Sequence, residues 1–568
     1  MFALASVLLI GRAAAVIFAD HAWYHALDAG AVWNEKIADM AVIHIVSLVF
    51  AGLFALVNLY AIRRSIVSLA FPRRLANVEF GEEVPEGALD RAAFVLAGAI
   101  AVIMAFMVPG WEKLAALRLG ARFGESDPFF QMDMSFYTAW LPLEISAYVW
   151  CITLLALVGA VVIVLYALTP SLRWQRGTFH VSVRVRRHLS ILASMFLMTM
   201  AWSYRLDGYE LLIDGSGPAG VFSYVDHQWL LPSYLSLAIG TIAAAVLVLL
   251  SGWMGHVRAG FFTVSAVLIS AIALDLVLPS VVRRVANART TPASERPYIA
   301  TRAAFTSRAY NITRDSVTPR PTERDRFAPF ADSIRMARIM SVASDSAVVY
   351  PGARGSALVR NVRNSAAPLL GNGLLRLANA WAEQRLDLLW TDQPTGTRIA
   401  RRRDVRERAA ALLPLYAQGS HVIPAYLGDT LVWILELYSS SETYPLSIHY
   451  VLAGGERSYF RYSGTAVINS MTGRVTVVPT VTPDPIATAW RMRYPANIRR
   501  GAPDLLDALT ASPRPVGPAP GGDVSLGVGD ALMSEVKRLY QRMRGALAVG
   551  DLKAFAEAYD SLGLVLGR

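Results

Sequence analysis

The chain has 568 residues, of which 54% are hydrophobic and only 17% are charged, and its mean hydropathy is +0.39. A water-soluble protein cannot bury that much apolar surface, so the composition excludes an ordinary soluble enzyme and indicates a membrane protein. The net charge of +11 is then typical of basic cytoplasmic loops and of contact with anionic lipid, not of nucleic-acid binding. Because Cys151 is the only cysteine, a disulfide within the chain and a cysteine-based metal site are both excluded.

Seven apolar segments precede residue 280, each close to the ~20 residues that a helix needs to cross ~30 Å of hydrocarbon. They cover residues 2–19, 40–61, 92–109, 141–168, 189–204, 232–252 and 260–279. The first predicts a retained helix and not a signal peptide, because its only positive residue, Arg12, lies inside the apolar run. We therefore expect an α-helical multi-pass membrane domain of seven transmembrane helices over residues 1–280.

Loop charge predicts the orientation of these spans. Eleven Lys and Arg residues lie in alternate loops at 62–91, 169–187 and 253–259, and five lie in the loops at 20–39, 110–140 and 205–231. The positive-inside rule then predicts a cell (inner) membrane protein with a cytoplasmic N-terminus. Everything after residue 280 is expected on the extracytoplasmic side.

An extracytoplasmic α+β domain is expected over residues 281–505, beginning with a polar stretch at 281–345 that predicts a linker and short helices. A helix is predicted at 372–390, where Leu374, Leu377, Trp381 and Leu388 recur on one stripe, and another at 401–416. Residues 420–480 predict antiparallel strands with turns at 428–429 and near 471–473.

The end of the chain has two further predicted parts. Residues 506–529 are rich in Pro and Gly and predict a flexible linker. Residues 530–568 predict a C-terminal helical hairpin, in which Gly550 ends the first helix and Asp551 caps the second.

Several long motifs resemble one known family. They are "FADHAWYHALDAG" (18–30), "DPFFQMDMSFYTAWLPLEI" (127–145), "HLSILASMFLMTMAWSYRLDGYELL" (188–212), "ERPYIATRAAFTSRAYNI" (295–312), "RRDVRERAAALLPLY", "DTLVWILELYSSSETYPLS" and "ALAVGDLKAFAEAYDSLG". The chain resembles the uncharacterised protein family 0182, bacterial seven-span membrane proteins with a large outer C-terminal domain. The resemblance implies no established activity and hence no catalytic residues. Typical members continue after residues 484–500 with a second large outer portion, so this chain resembles a shortened member.

Three polar residues lie within predicted spans, where their burial in lipid is costly: Arg12, His44 and Asp275. One interpretation is an intramembrane polar cluster that forms a pathway for an ion or substrate. The simpler interpretation is a structural tie between the first and last spans, or an Arg12 side chain that extends toward the headgroups.

The stretch "MAWSYRLDGYELLI" (200–213) combines aromatic and charged residues at the end of the fifth predicted span. Trp202, Tyr204 and Tyr209 match an interfacial aromatic belt, which places Arg205 and the following carboxylates beyond the hydrocarbon. If the helix continues, Asp207 and Glu210 share one face and offer a cation site, although surface solvation is the simpler interpretation.

Two other patterns have an ordinary interpretation. His21 and His25 are four residues apart and would share a helical face, but interfacial aromatic and His residues are common there, so no metal site is assigned. The Arg-rich start of 401–416 offers an anion-binding patch or a lipid-facing helix. A solvated helix face with local ion pairs is the simpler interpretation.

No catalytic, phosphate-binding, dinucleotide or zinc-protease motif is present, so no cofactor, metal or nucleic-acid partner is predicted. We expect a non-enzymatic envelope protein in contact with membrane lipid, whose outer domain or C-terminal hairpin binds or organises an envelope protein. The alternative is a transporter or transport accessory that uses polar residues inside the membrane domain.

Overall fold

The computed structural model describes most of the chain. The described residues are 2–67, 86–167, 172–175, 178–217, 220–273, 281, 284, 292–312, 347–360, 362, 365–427, 430–497, 538–539, 541–543 and 558. The chain divides into two compact units, residues 1–513 and 514–568. Of the second unit only six helical positions between 538 and 558 are described. The predicted linker and most of the predicted hairpin lie outside the described residues.

Long helices make up the N-terminal part, called here the helix domain (2–273). They are α1 (Phe2–Ala26), α2 (Gly30–Val67), α3 (Glu86–Phe106), α4 (Trp111–Leu119), α5 (Leu141–Ala167), α6 (Val183–Asp214), α7 (Leu231–Met254) and α8 (Val257–Ile272), with a small hairpin of β1 (Leu172–Gln175) and β2 (Thr178–Val181) between α5 and α6. Within the described residues, six helices are long and apolar enough to cross a membrane, α1, α2, α3, α5, α6 and α7. The N-terminal part thus contains six candidate membrane helices, as expected for a multi-pass membrane domain.

The seventh predicted span, 260–279, is only partly described. Its described part, α8, has 16 residues, and residues 274–280 lie outside the description. The fifth span differs from the prediction because α6 continues past residue 204 to Asp214 and ends at Gly215, which has a positive φ of 58°. The charged residues after Trp202 are therefore helical and belong to the bundle.

Two π-helical turns begin α5 and α7. They span Phe136–Trp140 and Asp226–Leu230, and in each case a proline follows two residues later, Pro142 or Pro232. Proline lacks an N–H and its ring clashes with the carbonyl four residues earlier. A wider turn, whose hydrogen bonds reach five residues back, relieves that clash at both helix starts.

The C-terminal part of the first unit, called here the sheet domain (347–497), combines strands and short helices. Its elements are β3 (Ala357–Val359), α10 (Gly373–Ala382), α11 (Asp387–Trp390), β4 (Arg398–Ala400), α12 (Val405–Leu412), β5 (Tyr416–Leu427), β6 (Thr430–Ser441), β7 (Tyr450–Leu452), β8 (Gly455–Arg457), β9 (Tyr459–Asn469), β10 (Val475–Pro479) and α13 (Pro485–Arg493). It is preceded by α9 (Pro292–Tyr310), a 19-residue helix where only short helices were expected.

A four-stranded antiparallel sheet, in the order β10-β9-β6-β5, forms the centre of the sheet domain. Leu427 pairs with Thr430 across the predicted first turn, whose two residues lie outside the description. At the second turn Asn469 accepts the Met471 and Thr472 amides at 3.0 and 2.8 Å, and Gly473 has a φ of 73°. Both predicted hairpins are present.

The sheet and the helix ends share hydrophobic cores. Trp23 and Trp33, from the end of α1 and the start of α2, are buried together with Trp433 and Leu435 of β6. A second core joins the segments that begin α5 and end α6 to Tyr438 and neighbouring sheet-domain residues. The sheet domain is therefore packed directly onto the helix domain.

Candidate functional site

An acid-lined cavity lies at the end of α6. Asp207, Glu210 and Asp214 follow one another at spacings of three and four residues, which places them on one helical face. They line a cavity of about 440 Å³ together with Tyr148 of α5 and Tyr234 of α7. Three carboxylates around one cavity concentrate negative potential and attract cations.

The sheet domain meets the helix domain close to this cavity. His449 Nδ1 lies 3.9 Å from Asp214 and 3.0 Å from Glu456, so the imidazole is placed between two carboxylates. Within the described residues, no group of three or more His, Cys, Asp or Glu side chains is arranged to hold a metal ion. The carboxylates of the cavity therefore do not form a metal coordination shell within the described residues.

Glu144 of α5 joins three polar side chains near the same end of the bundle. The indoles of Trp140 and Trp202 donate to its two oxygens at 2.9 and 3.0 Å, and Arg205 forms an ion pair with it. Sequence reasoning missed Glu144, because a single acid in an apolar run carries no spacing pattern.

A polar network also links three membrane helices at the other end of the bundle. His188 of α6 lies between Tyr166 of α5, at 2.8 Å from its hydroxyl, and Asn58 of α2, at 2.9 Å from its carbonyl oxygen. These bonds satisfy polar groups on apolar helices, so the network ties the helices together.

Two aspartates of "DPFFQMDMSFY" organise the loop before α5. Asp127 is fully buried and accepts bonds from the amides of Phe129, Phe130 and Met132 and from the Tyr137 hydroxyl. Asp133 accepts the amides of Gly124 and Ser135 at 3.0 and 2.8 Å. This motif therefore has a structural role in the loop.

The first contact between the domains is a buried ion-pair network. Asp20 of α1 accepts from Arg401 and from Arg402, each at 2.8 Å, and Arg401 also pairs with Glu383 at 2.5 Å. The Arg402 guanidinium lies 4.5 Å from the centre of the Trp23 ring. The expected solvated face was wrong for Arg401, which is buried because its partner Asp20 lies on α1, far away in sequence. One expected local pair is present, between Arg402 and Glu407 at 3.9 Å.

Arg408 of α12 is the most buried charge of this region, with 2% of its surface exposed. It donates to the carbonyls of Arg401, Arg402 and Gly473 at 2.7 to 3.0 Å. Burial lowers the pKa of Arg408 to about 9, which leaves the guanidinium charged at neutral pH. Its three carbonyl partners disperse that charge and fix the loop before α12.

Contacts with the sheet domain come from each of the three segments, 20–39, 110–140 and 205–231, that were predicted as loops with few positive charges. Besides Asp20, these are the Tyr137 carbonyl, which accepts from Thr443 at 2.7 Å, and the Leu212 carbonyl, which accepts from the Leu446 amide at 2.8 Å. We call this set of contacts the interdomain seam.

Two members of the predicted intramembrane cluster are described. When the side-chain amide of Gln384 is oriented with its oxygen toward Arg12, that oxygen accepts a hydrogen bond from the Arg12 guanidinium. His44 is exposed on α2 and its Nδ1 lies 2.7 Å from the Met40 carbonyl of its own helix. Asp275 lies outside the described residues, so the cluster of three stays a prediction.

The predicted belt residues pack within the protein. Trp202 bonds to Glu144, Tyr204 is 4% exposed, and Tyr209 packs edge-on against Phe130 and Phe136. Their role as an interfacial belt stays a prediction. The rings of His21 and His25 lie 4.3 Å apart on α1.

Comparison with known proteins identifies relatives of the same family. The profile of the family described as "Uncharacterised protein family (UPF0182)" matches residues 1–342 and 343–502. A UPF0182 protein of Desulforamulus reducens is 24% identical over 324 residues, covering 54% of this chain and 35% of the relative. A UPF0182 protein of Cupriavidus necator is 30% identical over 204 residues, covering 36% and 22%.

The chain spans about a third or less of the length of these relatives. No solved structure matches it. The family profile nevertheless covers residues 1–502 almost without interruption, which confirms the resemblance found in the motifs. The chain belongs to the uncharacterised protein family UPF0182.

Proposed function

We propose that this chain is a non-enzymatic protein of the inner membrane whose sheet domain is a fixed extracytoplasmic platform for an envelope protein. The observation that carries the proposal is the core shared by Trp23 and Trp33 of the helix domain and Trp433 of the sheet domain. A large apolar interface holds two domains in one arrangement, whereas small polar interfaces allow them to move. A platform needs the fixed arrangement that an apolar interface provides.

The proposed orientation has the N-terminus in the cytoplasm. Its support is that the interdomain seam uses the three loops with few positive charges, and that such loops are the ones exported. Labelling of single cysteines in intact cells tests it: in a Cys151→Ser background, Val451→Cys should react with a membrane-impermeant maleimide. Reaction only after cell lysis would contradict this orientation.

Partner binding is tested on the surface of the sheet domain. Val451 of β7 is 82% exposed and offers an apolar attachment point. A photo-crosslinking residue at Val451 should give one stoichiometric protein adduct in native membranes, and the same residue at Ile45 of α2 is the control. Loss of this adduct on deletion of residues 530–568 would show that the hairpin contributes to partner binding. Absence of a stoichiometric adduct at Val451 would count against the platform.

A second candidate function is cation transport, favoured by the three carboxylates of the acid-lined cavity. Proteoliposomes should then take up cations faster than protein-free vesicles, and Asp207→Asn and Glu210→Gln should abolish the difference. Asp392→Asn, which removes an exposed carboxylate of the sheet domain, is the matched control. Uptake equal to that of protein-free vesicles would reject transport.

A further inference from the structure

Helix α10 of the sheet domain packs against the membrane helix α1. A Cβ on Gly11 would lie 2.5 Å from the Trp381 ring, so the missing side chain is what permits this close approach. Gln384, two residues after α10, bonds to the neighbouring Arg12. Part of the sheet domain therefore reaches the apolar portion of α1.

The depth of this contact follows from α1 itself. Asp20, which binds Arg401 and Arg402, is the first residue after the predicted apolar span at 2–19. Gly11 precedes Asp20 by nine residues, which corresponds to roughly 13 Å along a helix. Half of a hydrocarbon core is about 15 Å thick, so the Trp381 ring lies at the depth of the acyl chains.

Beyond the contact with α1, α10 and α11 expose further apolar side chains. Leu374 is 83% exposed and shares a stripe with Leu377 and Trp381, and Trp390 at the end of α11 is 73% exposed. The opposite side of α10 is already occupied, because Ala380 is buried with Leu370, Leu388 and Ile399. The segment thus has apolar surface in excess of what the sheet domain covers.

The charged side chains of this segment are paired with groups of the sheet domain. Arg376 donates to the carbonyls of Leu388 and Thr391, and Arg385 pairs with Asp387 at 2.8 Å. Glu383 pairs with Arg401. Each of these groups has a partner within the sheet domain, which lowers the cost of placing the segment beside lipid.

The apolar surface also continues that of α1. The side chains that flank Gly11 on α1, from Val7 to Ile10 and at Ile17 and Phe18, are at least half exposed on a helix of membrane-spanning length. We propose that α10 and α11 are inserted in the leaflet on the sheet-domain side, with Leu374, Leu377 and Trp390 against acyl chains. The occupant of this face is the lipid bilayer.

Depth-dependent quenching tests the insertion with the full chain. In a Cys151→Ser background, Leu374→Cys and Trp390→Cys are labelled with bimane in nanodiscs of phosphatidylethanolamine and phosphatidylglycerol. Some of the lipid carries a nitroxide on the acyl chain. Ile10→Cys is the reference for lipid contact, and Val451→Cys, equally exposed but on β7, is the control.

We expect acyl-chain nitroxide to quench both α10–α11 labels as strongly as the Ile10→Cys label and to leave the Val451→Cys label unchanged. A water-soluble quencher should quench the Val451→Cys label more strongly than the Leu374→Cys and Trp390→Cys labels. Quenching of both labels by the soluble quencher alone would overturn the proposal. Protection from both quenchers would also overturn it, because a protein, either a partner or a second copy, would then cover the face.

Discussion

Asp20 of α1 accepts a hydrogen bond from Arg401 of the sheet domain at 2.8 Å, although 381 residues separate them along the chain. Arg402 binds the other oxygen of the same carboxylate. One acid of α1 thus pairs with two arginines of another domain, of which Arg401 also pairs with Glu383. This arrangement makes the interdomain seam dependent on single residues whose removal has measurable effects.

Asp20→Asn should destabilise the protein markedly. The substitution keeps the size of the side chain but removes the acid that Arg401 and Arg402 share, so that Arg401 keeps only its pair with Glu383. Breaking a buried pair costs about 3–5 kcal/mol. A clear fall in Tm is expected, measured by intrinsic fluorescence in detergent. Glu442→Gln is the control, because the Glu442 side chain is 64% exposed and its pair with Arg457 lies within the sheet domain. Equal Tm changes for the two variants would show that the Asp20 network does not hold the seam.

Gly11→Leu should disturb the contact between α1 and α10, because its side chain would occupy the place of the Trp381 ring. Overpacking of this kind costs about 1–3 kcal/mol. Gly98→Leu on α3 is the matched control, since a Cβ there meets nothing within 4 Å.

A double-mutant cycle identifies the cause of the Gly11→Leu effect. Adding Trp381→Ala should recover part of the lost stability, which gives a coupling between the two positions. Additive effects of the two changes would mean that the two residues are not in contact.

Arg408→Met should lower the Tm more than Arg360→Met. Methionine fills similar space but leaves the carbonyls of Arg401, Arg402 and Gly473 without their donor, and each unsatisfied buried group costs about 1–3 kcal/mol. Arg360 is exposed and serves as the control. If the Tm of Arg408→Met equalled that of Arg360→Met, the bonds to the three carbonyls would make no net contribution to the stability of the fold.

Asp133 should make the loop before α5 sensitive to acid. Burial alone would raise the pKa of Asp133, but bonds from Ser135, Phe123 and Gly124 outweigh burial and hold it below its ordinary value of 3.8. A carboxyl whose pKa is lower in the folded state stabilises that state above its unfolded pKa, and this contribution is lost as pH falls through the folded pKa.

The measurement is the Tm difference between the natural chain and Asp133→Asn over a range of pH. The natural chain should be the more stable at neutral pH, and its advantage should disappear in acid. A difference that is constant with pH would show that the Asp133 charge does not stabilise the loop.

Local patterns predicted much of the fold. Hydropathy identified the membrane helices, and the turn near 471–473 was predictable because Asn469 and Gly473 supply the side-chain acceptor and the positive φ that it needs. The length of α6 was underestimated, since hydropathy falls where Arg205 and Asp207 begin. Their polar contacts inside the bundle, such as Arg205 with Glu144, are spatial and leave no periodic signal.

The candidate site was predictable only in part. The spacing of Asp207 and Glu210 indicated a shared face, but Asp214 lies beyond the predicted helix end, and the cavity walls come from α5, α7 and α8. The Arg-rich segment was misinterpreted for a similar reason. Local acids offered sufficient partners for Arg401 and Arg402, and nothing in the sequence indicates that Asp20 is their main partner.

The proposed platform requires that the sheet domain is held rigidly on the helix domain. Pulsed electron paramagnetic resonance in nanodiscs measures this directly, with spin labels at Val451→Cys and Trp253→Cys in a Cys151→Ser background. A reference pair within the helix domain, Phe106→Cys and Trp253→Cys, gives the width of the distance distribution that is expected for a rigid body. A rigid platform should give one distance distribution for the Val451→Cys pair, no wider than that of the reference pair. A broad or multiple distribution for the Val451→Cys pair would contradict it.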